Sequence, residues 1–442
     1  MEIQSSSNQE SLFKKIAKFK DMHPSDIAEQ LEDLEIDEIR DVLRELSEES
    51  NAEIITELPH ETQTELLEKM RVERVAEIIP EMYSDDAADA LSDISPERLS
   101  DIMEVLPDTE EDEITELLEH DKESAGGIMR KEVLAVQEDF TLAQAREAIR
   151  TDEDQDDDSA IYVYVVDSEN RLRGVLRLRD LLFRDLRLKV KEVMMTDVRT
   201  VNIAADQEQI ANLFQKYNFI AIPVVDDFGA LVGIVTSDDV IDVIQEEATE
   251  DMQRMVGLSG EEGINTPWKR SVNNRLPWLC VNLGTAFLAA WIVSLFESSI
   301  EKYAVLAIFL PIVAGQGGNA GSQTLTIMVR SLALGEIEGD EWRKVLVKEI
   351  LIGLVSGLTI GLIVGVLSWL WKGDVILGGV VFLAMLLNML AAALSGVLVP
   401  IALKAIRVDP ALASTIMVTT VTDVLGFFIF LSLATMAFKI WA

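Results

Sequence analysis

The pattern of apolar and polar positions divides the chain near residue 267. Beyond that point, five mostly apolar stretches are each long enough to cross a membrane as a helix, which takes about 20 residues. Four of them contain no charged residue, and the last contains only Asp423. They are residues 276–296, 303–329, 350–371, 375–403 and 411–438. The second half of the chain is therefore predicted to be a transmembrane domain of five α-helices.

Residues 21–124 have a different pattern. Apolar residues recur there at spacings of three and four, which is typical of amphipathic helices, and no strand-like run interrupts them. Prolines divide this segment into short pieces, at Pro24, Pro59, Pro80, Pro96 and Pro107. The pattern predicts a small, solenoid-like domain of short helices.

An internal repeat follows. Residues 161–182 match residues 220–241 at a period of 59. Each copy has β-rich runs around turn-forming residues, and so predicts a strand, a tight turn, a second strand and the start of a helix. The equivalent pairs are Asp167 and Asp226, Gly174 and Gly233, and Asp180 and Asp239. We expect the two copies to pack as a pseudo-symmetric pair.

The charge is distributed as unevenly as the hydrophobicity. The net charge is −39, and residues 1–267 hold 26 basic and 67 acidic side chains, against 12 and 10 in residues 268–442. The acidic half argues against nucleic acid as a partner, since such binding depends on Lys and Arg neutralising phosphates. It favours metal cations or basic proteins. The single cysteine, Cys280, excludes an intrachain disulfide and a cysteine-based zinc site.

Basic residues in the short connections predict the orientation in the membrane, because they accumulate on the cytoplasmic side. Nine lie on one side of the predicted spans and three on the other. The nine are Lys269, Arg270, Arg275, Arg330, Arg343, Lys344, Lys348, Lys404 and Arg407, and the three are Lys302, Lys372 and Lys439. This predicts a multi-pass protein of the plasma membrane with its acidic half in the cytoplasm and its C-terminus outside.

The last predicted span contains a carboxylate near its middle. A charged side chain at that depth costs at least about 2.5–3.5 kcal/mol, so Asp423 is expected to face a cavity, a partner group or an ion. Thr415, Thr419 and Thr422 lie near it at helical spacings. The alternative is a protonated carboxyl that bonds to a neighbouring helix.

Two other spans carry small residues. Residues 315–323 combine glycines and alanine with amide side chains, which predicts a bent or unwound segment whose free carbonyls face an ion; tight helix packing is the alternative. In the third span a glycine recurs every four residues, which predicts a packing seam. These glycines are Gly353, Gly357, Gly361 and Gly365.

The stretch before the first span is strongly acidic. Seven of the fourteen residues from 238 to 251 are acidic and none is basic. On a helix, Asp239, Asp242, Glu246 and Glu250 fall along one face, with Glu247 and Asp251 beside it. Like charges four residues apart destabilise a helix. This face is either a solvated surface or a site where divalent cations relieve the repulsion.

Three motifs, in residues 311–323, 238–251 and 409–426, together resemble those of the MgtE family of Mg²⁺ channels, and the resemblance covers essentially the whole chain. It implies an α-helical N-domain, an α+β pair of cystathionine-β-synthase (CBS) domains, a connecting plug helix and a five-span α-helical transmembrane domain. The implied boundaries are residues 1–126, 127–190, 191–246, 247–270 and 271–442.

The resemblance also implies a homodimer in the lipid membrane, with Mg²⁺ as both the transported and the regulatory ion. Asp423 matches the family's pore carboxylate, and the predicted pore metal residues are Asp423, Thr419, Thr415 and Asn319. The predicted sensor residues for Mg²⁺ are Glu53, Asp85, Asp89, Asp206, Glu208, Asp239, Asp242, Glu247, Glu250 and Asp251. The predicted residues for a nucleotide such as ATP are Tyr162, Arg179, Asp180 and Phe219.

The predicted function is a Mg²⁺ channel, not an enzyme, that cytosolic Mg²⁺ closes. An ion-coupled exchanger of Mg²⁺ or Co²⁺ is one alternative, and a membrane-anchored nucleotide sensor without transport is another. Asp423 and the polar segment 315–323 argue against the sensor, because a mere anchor needs neither. In the sequence, Thr415 and Ile416 stand where relatives often have an amide or glycine followed by proline, and Asn218 stands where an Asp is common.

Overall fold

A computed structural model provides the fold. It describes residues 19, 22–32, 34–151, 162–260, 262–264, 266–337, 339–412 and 414–441. Within them the chain forms two compact units, Met1–Val243 and Ile244–Ala442.

Short helices form the N-domain, as predicted. They are α1 (Pro24–Leu31), α2 (Ile36–Leu43), α3 (Glu48–Thr56), α4 (His60–Lys69), α5 (Val72–Ile78), α6 (Ser84–Ser92), α7 (Pro96–Met103) and α8 (Asp108–Leu118), with a 3-10 turn at Ile79–Glu81. Pro24 and Pro96 lie in the first turns of α1 and α7, where a missing N–H removes no helical hydrogen bond. Each helix packs against the second one after it, from α1 with α3 to α6 with α8. This is the stacking of a solenoid.

The CBS repeat forms two small sheets with the same topology. The first copy contains β1 (Ala135–Gln137), α9 (Leu142–Thr151), β2 (Tyr162–Val166), β3 (Leu172–Arg177), α10 (Leu178–Phe183) and α11 (Val190–Val193). The second contains β4 (Val201–Asn202), α12 (Gln207–Tyr217), β5 (Ala221–Val225) and β6 (Leu231–Thr236). In each sheet the first two strands are parallel and the last two antiparallel.

The repeated residues have structural roles. Asp167 Oδ1 accepts hydrogen bonds from the backbone N–H groups of Glu169 and Arg171, at 2.9 and 3.0 Å, and so closes the β2–β3 turn. Asp226 closes the β5–β6 turn with two bonds of 2.8 Å. A Cβ atom at Gly174 would lie 2.6 Å from the carbonyl oxygen of Met195, so a neighbouring backbone segment occupies that space.

Backbone hydrogen bonds join the N-domain linker to the second CBS copy. The Ala125 and Arg130 N–H groups each donate to a carbonyl of that copy, Ala205 and Ile234, at 2.7 Å. Ile234 N–H returns a bond of 3.0 Å to the Arg130 carbonyl. Arg130 therefore pairs with β6 of the second sheet, although it precedes the first copy in the chain.

One long helix leaves the second CBS copy. Helix α13 runs from Ser237 to Met255 without a break, so the boundary that the resemblance implied between residues 246 and 247 lies inside it. The helix ends at Met255, and the next one begins at Trp268.

The second unit is helical beyond that point. It contains α14 (Trp268–Ser294), the short α15 (Glu297–Lys302), α16 (Leu306–Ala333), α17 (Trp342–Lys372), α18 (Val375–Ala405) and α19 (Ser414–Trp441). Among the described residues, four helices are long and apolar enough to cross a membrane, namely α14, α17, α18 and α19. Helix α16 spans 28 residues but is not among the four. The fifth span therefore stays a prediction.

The glycine stripe of α17 forms the predicted seam with α18. A Cβ atom at Gly361 would lie 2.9 Å from the Phe382 carbonyl oxygen, and one at Gly365 would lie 2.8 Å from the Gly378 carbonyl oxygen. These contacts are with backbone, which cannot rotate away as a side chain can.

We therefore expect Gly365→Ala to destabilise the second unit by about 1–3 kcal/mol, as overpacking does elsewhere. A matched control is Gly379→Ala, because a Cβ atom there would meet nothing within 4 Å. Thermal unfolding in detergent should show a lower midpoint for Gly365→Ala and an unchanged or higher one for Gly379→Ala. Equal midpoints for the two variants would contradict the packing seam.

Candidate functional site

Helix α19 carries Asp423 at a half-buried position, directly after the fully buried Thr422. The Thr419 hydroxyl donates to the Thr415 carbonyl at 2.9 Å, and the Thr422 hydroxyl donates to the Thr419 carbonyl at 3.0 Å. In the described part of the chain, no Lys or Arg forms an ion pair with Asp423. The site thus combines a carboxylate without a basic partner and hydroxyl oxygens that still have lone pairs to offer a cation.

Helix α16 packs directly against α19 at this level. A Cβ atom at Gly318 would lie 3.6 Å from Thr419 Cγ2, and one at Gly321 would lie 2.5 Å from Val418 Cγ1. The glycines therefore let the two helices approach closely. Asn319 lies on the exposed side of α16 within a single chain. The four predicted pore residues thus lie on two helices in direct contact.

The prediction of an unwound segment at 315–323 is wrong. Helix α16 is continuous from Leu306 to Ala333, so the carbonyls of this segment are used within the helix. The alternative, tight packing, describes what the glycines do. Glycine is compatible with a helix wherever a neighbouring helix supplies the packing that a side chain would otherwise provide.

Two buried polar side chains in the helix bundle escaped the sequence analysis. Asn388 of α18 is fully buried and donates from Nδ2 to the Val313 carbonyl of α16 at 2.8 Å. Glu349 of α17 is 3% exposed and accepts a hydrogen bond of 2.9 Å from the Thr324 hydroxyl of α16. Asn388 is a single polar residue within an apolar run, and Glu349 lies at the edge of another apolar run. Neither residue therefore interrupts the hydropathy pattern.

The cytosolic acidic residues fall into separate groups, and the first surrounds Arg130. Arg130 Nε lies 3.1 Å from Asp85 Oδ2, while one of its terminal nitrogens lies 2.9 Å from Asp238 Oδ2 and 3.0 Å from Asp239 Oδ1. Its guanidinium also lies 4.1 Å from the centre of the Tyr83 ring. Two predicted sensor residues, Asp85 and Asp239, are thus held together by a cation of the chain itself.

Burial changes the acidity of this group. Loss of hydration raises the pKa of Asp85 well above its usual range, the nearby Asp239 charge raises it further, and Arg130 opposes both. Burial likewise raises the pKa of Asp86 to about 7. Burial is also the main cause of the raised pKa of Asp89, which His60 opposes. Burial therefore opposes ionisation of these three carboxyl groups, and the neighbouring basic residues favour it.

Asp242, one turn beyond Asp239 on α13, has a different surrounding. Burial raises its pKa, and the charges of Asp239 and Glu57 raise it further. Glu57 lies one turn after the predicted Glu53, which is exposed on α3. The sequence analysis missed Glu57, although its spacing of four from Glu53 places both on one face of that helix region.

A second group lies at the end of α13 and within the second unit. Burial raises the pKa of Asp251 to about 6, and Asp409 and Glu247 raise it further. Arg254 forms ion pairs with Glu250 and, at 2.7 Å, with Asp409. Asp409 lies in the connection between α18 and α19 and was not among the predicted sensor residues. Met255 packs there against an apolar cluster formed by Leu325, Val329, Ala411 and Val418.

Two other predicted sensor residues, Asp206 and Glu208, lie at the start of α12. Asp206 is the N-cap of α12 and accepts a hydrogen bond of 2.9 Å from the Glu208 N–H. Asn218 ends the same helix in the left-handed conformation, which suits Asn. Among the residues that the structure describes, no three His, Cys, Asp or Glu side chains converge in a geometry that would hold a metal ion.

The predicted nucleotide residues lie on both CBS copies. Asp180 is buried and forms ion pairs with Arg177, at 3.0 Å, and with Arg184. Arg179 is exposed, and Tyr162 is half-buried at the start of β2. The Phe219 ring lies beside the Tyr217 ring, tilted by 31°, with 5.4 Å between ring centres. The partly exposed rings of Tyr162 and Phe219 are thus available to a planar ligand. The Asp180 carboxylate, by contrast, already has two partners.

Comparisons with known proteins agree with this architecture. The model of a family described as a divalent cation transporter matches residues 310–433, the MgtE intracellular N domain matches 22–123, and the CBS domain matches 125–187 and 190–246. The magnesium transporter MgtE of Thermus thermophilus is 38% identical over 329 residues, which cover 73% of this chain and 72% of the relative. The magnesium transporter MgtE of Enterococcus faecalis is 36% identical, over 73% and 71% of the two chains.

Solved structures match the N-terminal half. The cytosolic domain of the Mg²⁺ channel MgtE in complex with ATP is 35% identical, with a TM-score of 0.50, and the match covers 53% of this chain and 98% of that one. The soluble part of a magnesium transporter is 31% identical, also with a TM-score of 0.50, over 56% and 99%. By its sequence, its apolar helices and the order of its domains, the chain is a multi-pass membrane protein that belongs to the MgtE family of divalent cation transporters, which are not enzymes.

Proposed function

We propose that this protein is a Mg²⁺ channel whose ion site is built around Asp423. The observation that carries the proposal is the Asp423 carboxylate itself, which lies deep in an apolar helix without an ion-pair partner in the described part of the chain. Mg²⁺ sheds water reluctantly and is usually held by one or two carboxylates together with several waters. Two Asp423 side chains, one from each chain of a homodimer, suit a partly hydrated Mg²⁺ ion.

We further propose that cytosolic Mg²⁺ closes the channel by binding to the acidic groups around Asp242 and around Asp251. Two unit charges about 4 Å apart repel by about 1 kcal/mol in water and about 4 kcal/mol at an effective dielectric of 20. Without Mg²⁺ the repulsion favours an open arrangement, and bound Mg²⁺ would relieve it. The ion pair of Arg254 with Asp409 and the packing of Met255 on α16 and α19 connect the end of α13 to the pore helices.

Mg²⁺ binding at these sites can supply the free energy that such a switch needs. Moving a two-state equilibrium from 1:99 to 99:1 takes about 5.5 kcal/mol of differential binding. A site that exists only in the closed state and is filled at ten times its dissociation constant contributes about 1.4 kcal/mol. About four sites are therefore needed, and two acidic groups in each chain of a dimer supply that number.

Flux measurements on the purified protein in liposomes distinguish the channel from an exchanger. We expect Mg²⁺ to enter down its own gradient, at a rate that does not depend on a Na⁺ or H⁺ gradient. A requirement for either gradient would favour the ion-coupled exchanger, and the absence of any flux would favour the membrane-anchored sensor.

We also propose that ATP binds between the CBS copies, where Phe219 and Tyr162 hold the base and Arg179 pairs with phosphate. A solved cytosolic domain 35% identical to this chain is a complex with ATP. Stacking of a base on an aromatic ring contributes about 1–3 kcal/mol, so we expect Phe219→Ala to weaken ATP binding about 10- to 100-fold. Calorimetry on the full chain measures this affinity.

Phe228 provides the control for this test, because it is 84% exposed at the β5–β6 turn of the same CBS copy. Phe228→Ala should bind ATP as the unmodified chain does. If the unmodified chain gives no heat and no thermal shift with ATP, the nucleotide has no role in this protein.

A further inference from the structure

Arg130 occupies an unusual position for an arginine. It is only 4% exposed and lies in the linker that pairs with β6, between helix α6 of the N-domain and the start of α13. Its three carboxylate partners come from both sides: Asp85 from α6, and Asp238 and Asp239 from α13. A buried guanidinium of this kind needs such partners, because an unpaired buried charge is strongly unfavourable.

Each carboxylate oxygen of the buried Asp85 and the half-buried Asp239 already accepts a hydrogen bond. Asp85 Oδ2 contacts Arg130, and Asp85 Oδ1 accepts the Asp86 N–H at 3.0 Å. Asp239 Oδ1 contacts Arg130, and Asp239 Oδ2 accepts the Thr236 hydroxyl. Because the guanidinium contacts both carboxylates, a Mg²⁺ ion that bridged them at its required distance of about 2.0–2.1 Å would need the position that the guanidinium occupies.

The shape of the guanidinium suits this position. It presents five N–H donors in a planar fork, so it can bind several carboxylates in fixed directions, and it stacks on aromatic rings as it does here on Tyr83. A neighbouring contact also holds α6 against this linker. Glu132, two residues beyond Arg130, accepts hydrogen bonds from the Ser84 N–H at 2.9 Å and from the Ser84 hydroxyl at 2.8 Å.

We propose that Arg130 is a built-in cation that occupies the position between Asp85 and Asp239, so that helix α6 stays docked on the second CBS copy without a divalent cation there. The consequence for regulation rests on the proposed closure by Mg²⁺: only the other acidic groups, around Asp242 and Asp251, would make closure depend on Mg²⁺. The docking of α6 on the second CBS copy can be tested without measuring transport.

Hydrogen exchange of the full chain in detergent tests the docking. In the unmodified protein, backbone exchange across Ser84–Ser92 should be slow with a chelator present and should change less than twofold when millimolar Mg²⁺ is added. Arg130→Gln leaves the buried Asp85 and the half-buried Asp239 without their cation, so exchange in chelator should accelerate by about 100-fold. Millimolar Mg²⁺ should then restore much of the protection, because the carboxylates become available to it.

Arg173→Gln is the matched control. Arg173 pairs with Asp167 at 2.7 Å within the first CBS copy and lies on the surface, so its loss should leave the exchange of α6 unchanged. Two results would overturn the proposal: exchange in the unmodified protein that is fast in chelator and slowed by Mg²⁺, or an Arg130→Gln variant that behaves as the unmodified chain does. If Arg130→Gln fails to fold, the unmodified chain in chelator still decides the matter. None of these exchange measurements depends on flux. A failure of the channel proposal would therefore remain distinguishable from a failure of the docking proposal.

Discussion

Asp423→Ala should reduce Mg²⁺ flux by at least about 100-fold while the protein stays folded. A hundredfold loss of flux corresponds to about 2.7 kcal/mol of lost ion binding. The variant removes the one carboxylate that the described part of α19 contributes within the membrane. It also removes a group that is costly to bury, so stability should not fall. Flux into liposomes and the unfolding midpoint are the two measurements.

Two further variants sharpen this test. Asp423→Glu keeps the charge and should retain some flux with altered selectivity among divalent cations. Asp340→Ala is the control, because Asp340 lies between α16 and α17, 78% exposed, and should transport normally when replaced. Normal flux in a well-folded Asp423→Ala protein would remove Asp423 from the ion path.

Combining Asp242→Asn, Glu247→Gln and Asp251→Asn should make the flux independent of Mg²⁺ on the cytosolic side. These changes remove the ligands through which Mg²⁺ closes the channel, so the response to Mg²⁺ disappears. The combination spares Asp239, whose replacement would instead leave Arg130 with fewer partners. Flux as a function of cytosolic Mg²⁺ is the measurement.

A control with the same change in charge uses exposed positions of the N-domain. Glu29, Glu61 and Glu97 lie on its surface, and replacing all three with Gln should leave the Mg²⁺ response intact. If the triple variant in α13 still closes at the same Mg²⁺ concentration as the unmodified chain, these groups are only a solvated surface and closure has another cause.

Much of the fold was predictable because it depends on local patterns. The period of 59 predicted the two equivalent copies, and the turn roles of Asp167 and Asp226 follow from the residue types in those turns. Four spans were equally clear from their uninterrupted apolar runs. The continuity of helix α16 was harder to predict, because glycines in a sequence indicate a helix break. In the structure, neighbouring helices supply the packing that the glycines lack.

The contacts of the acidic groups were not predictable from the sequence. Arg130 is 45 residues from Asp85 and 108 from Asp238, and no local pattern relates such distant positions. Asp409 was missed for a similar reason, since its partner Arg254 lies 155 residues earlier. The sequence analysis found acidic residues by their density along the chain, but their pairing with basic residues depends on the tertiary fold.

Mg²⁺ flux into liposomes that contain the unmodified protein, measured while Mg²⁺ on the cytosolic side is varied, tests the central claim most directly. We predict rapid uptake when cytosolic Mg²⁺ is chelated and at least a tenfold decrease when it is millimolar, as closure by about four sites requires. Uptake that is absent, or that is the same at both concentrations, would contradict a Mg²⁺ channel closed by its own ion.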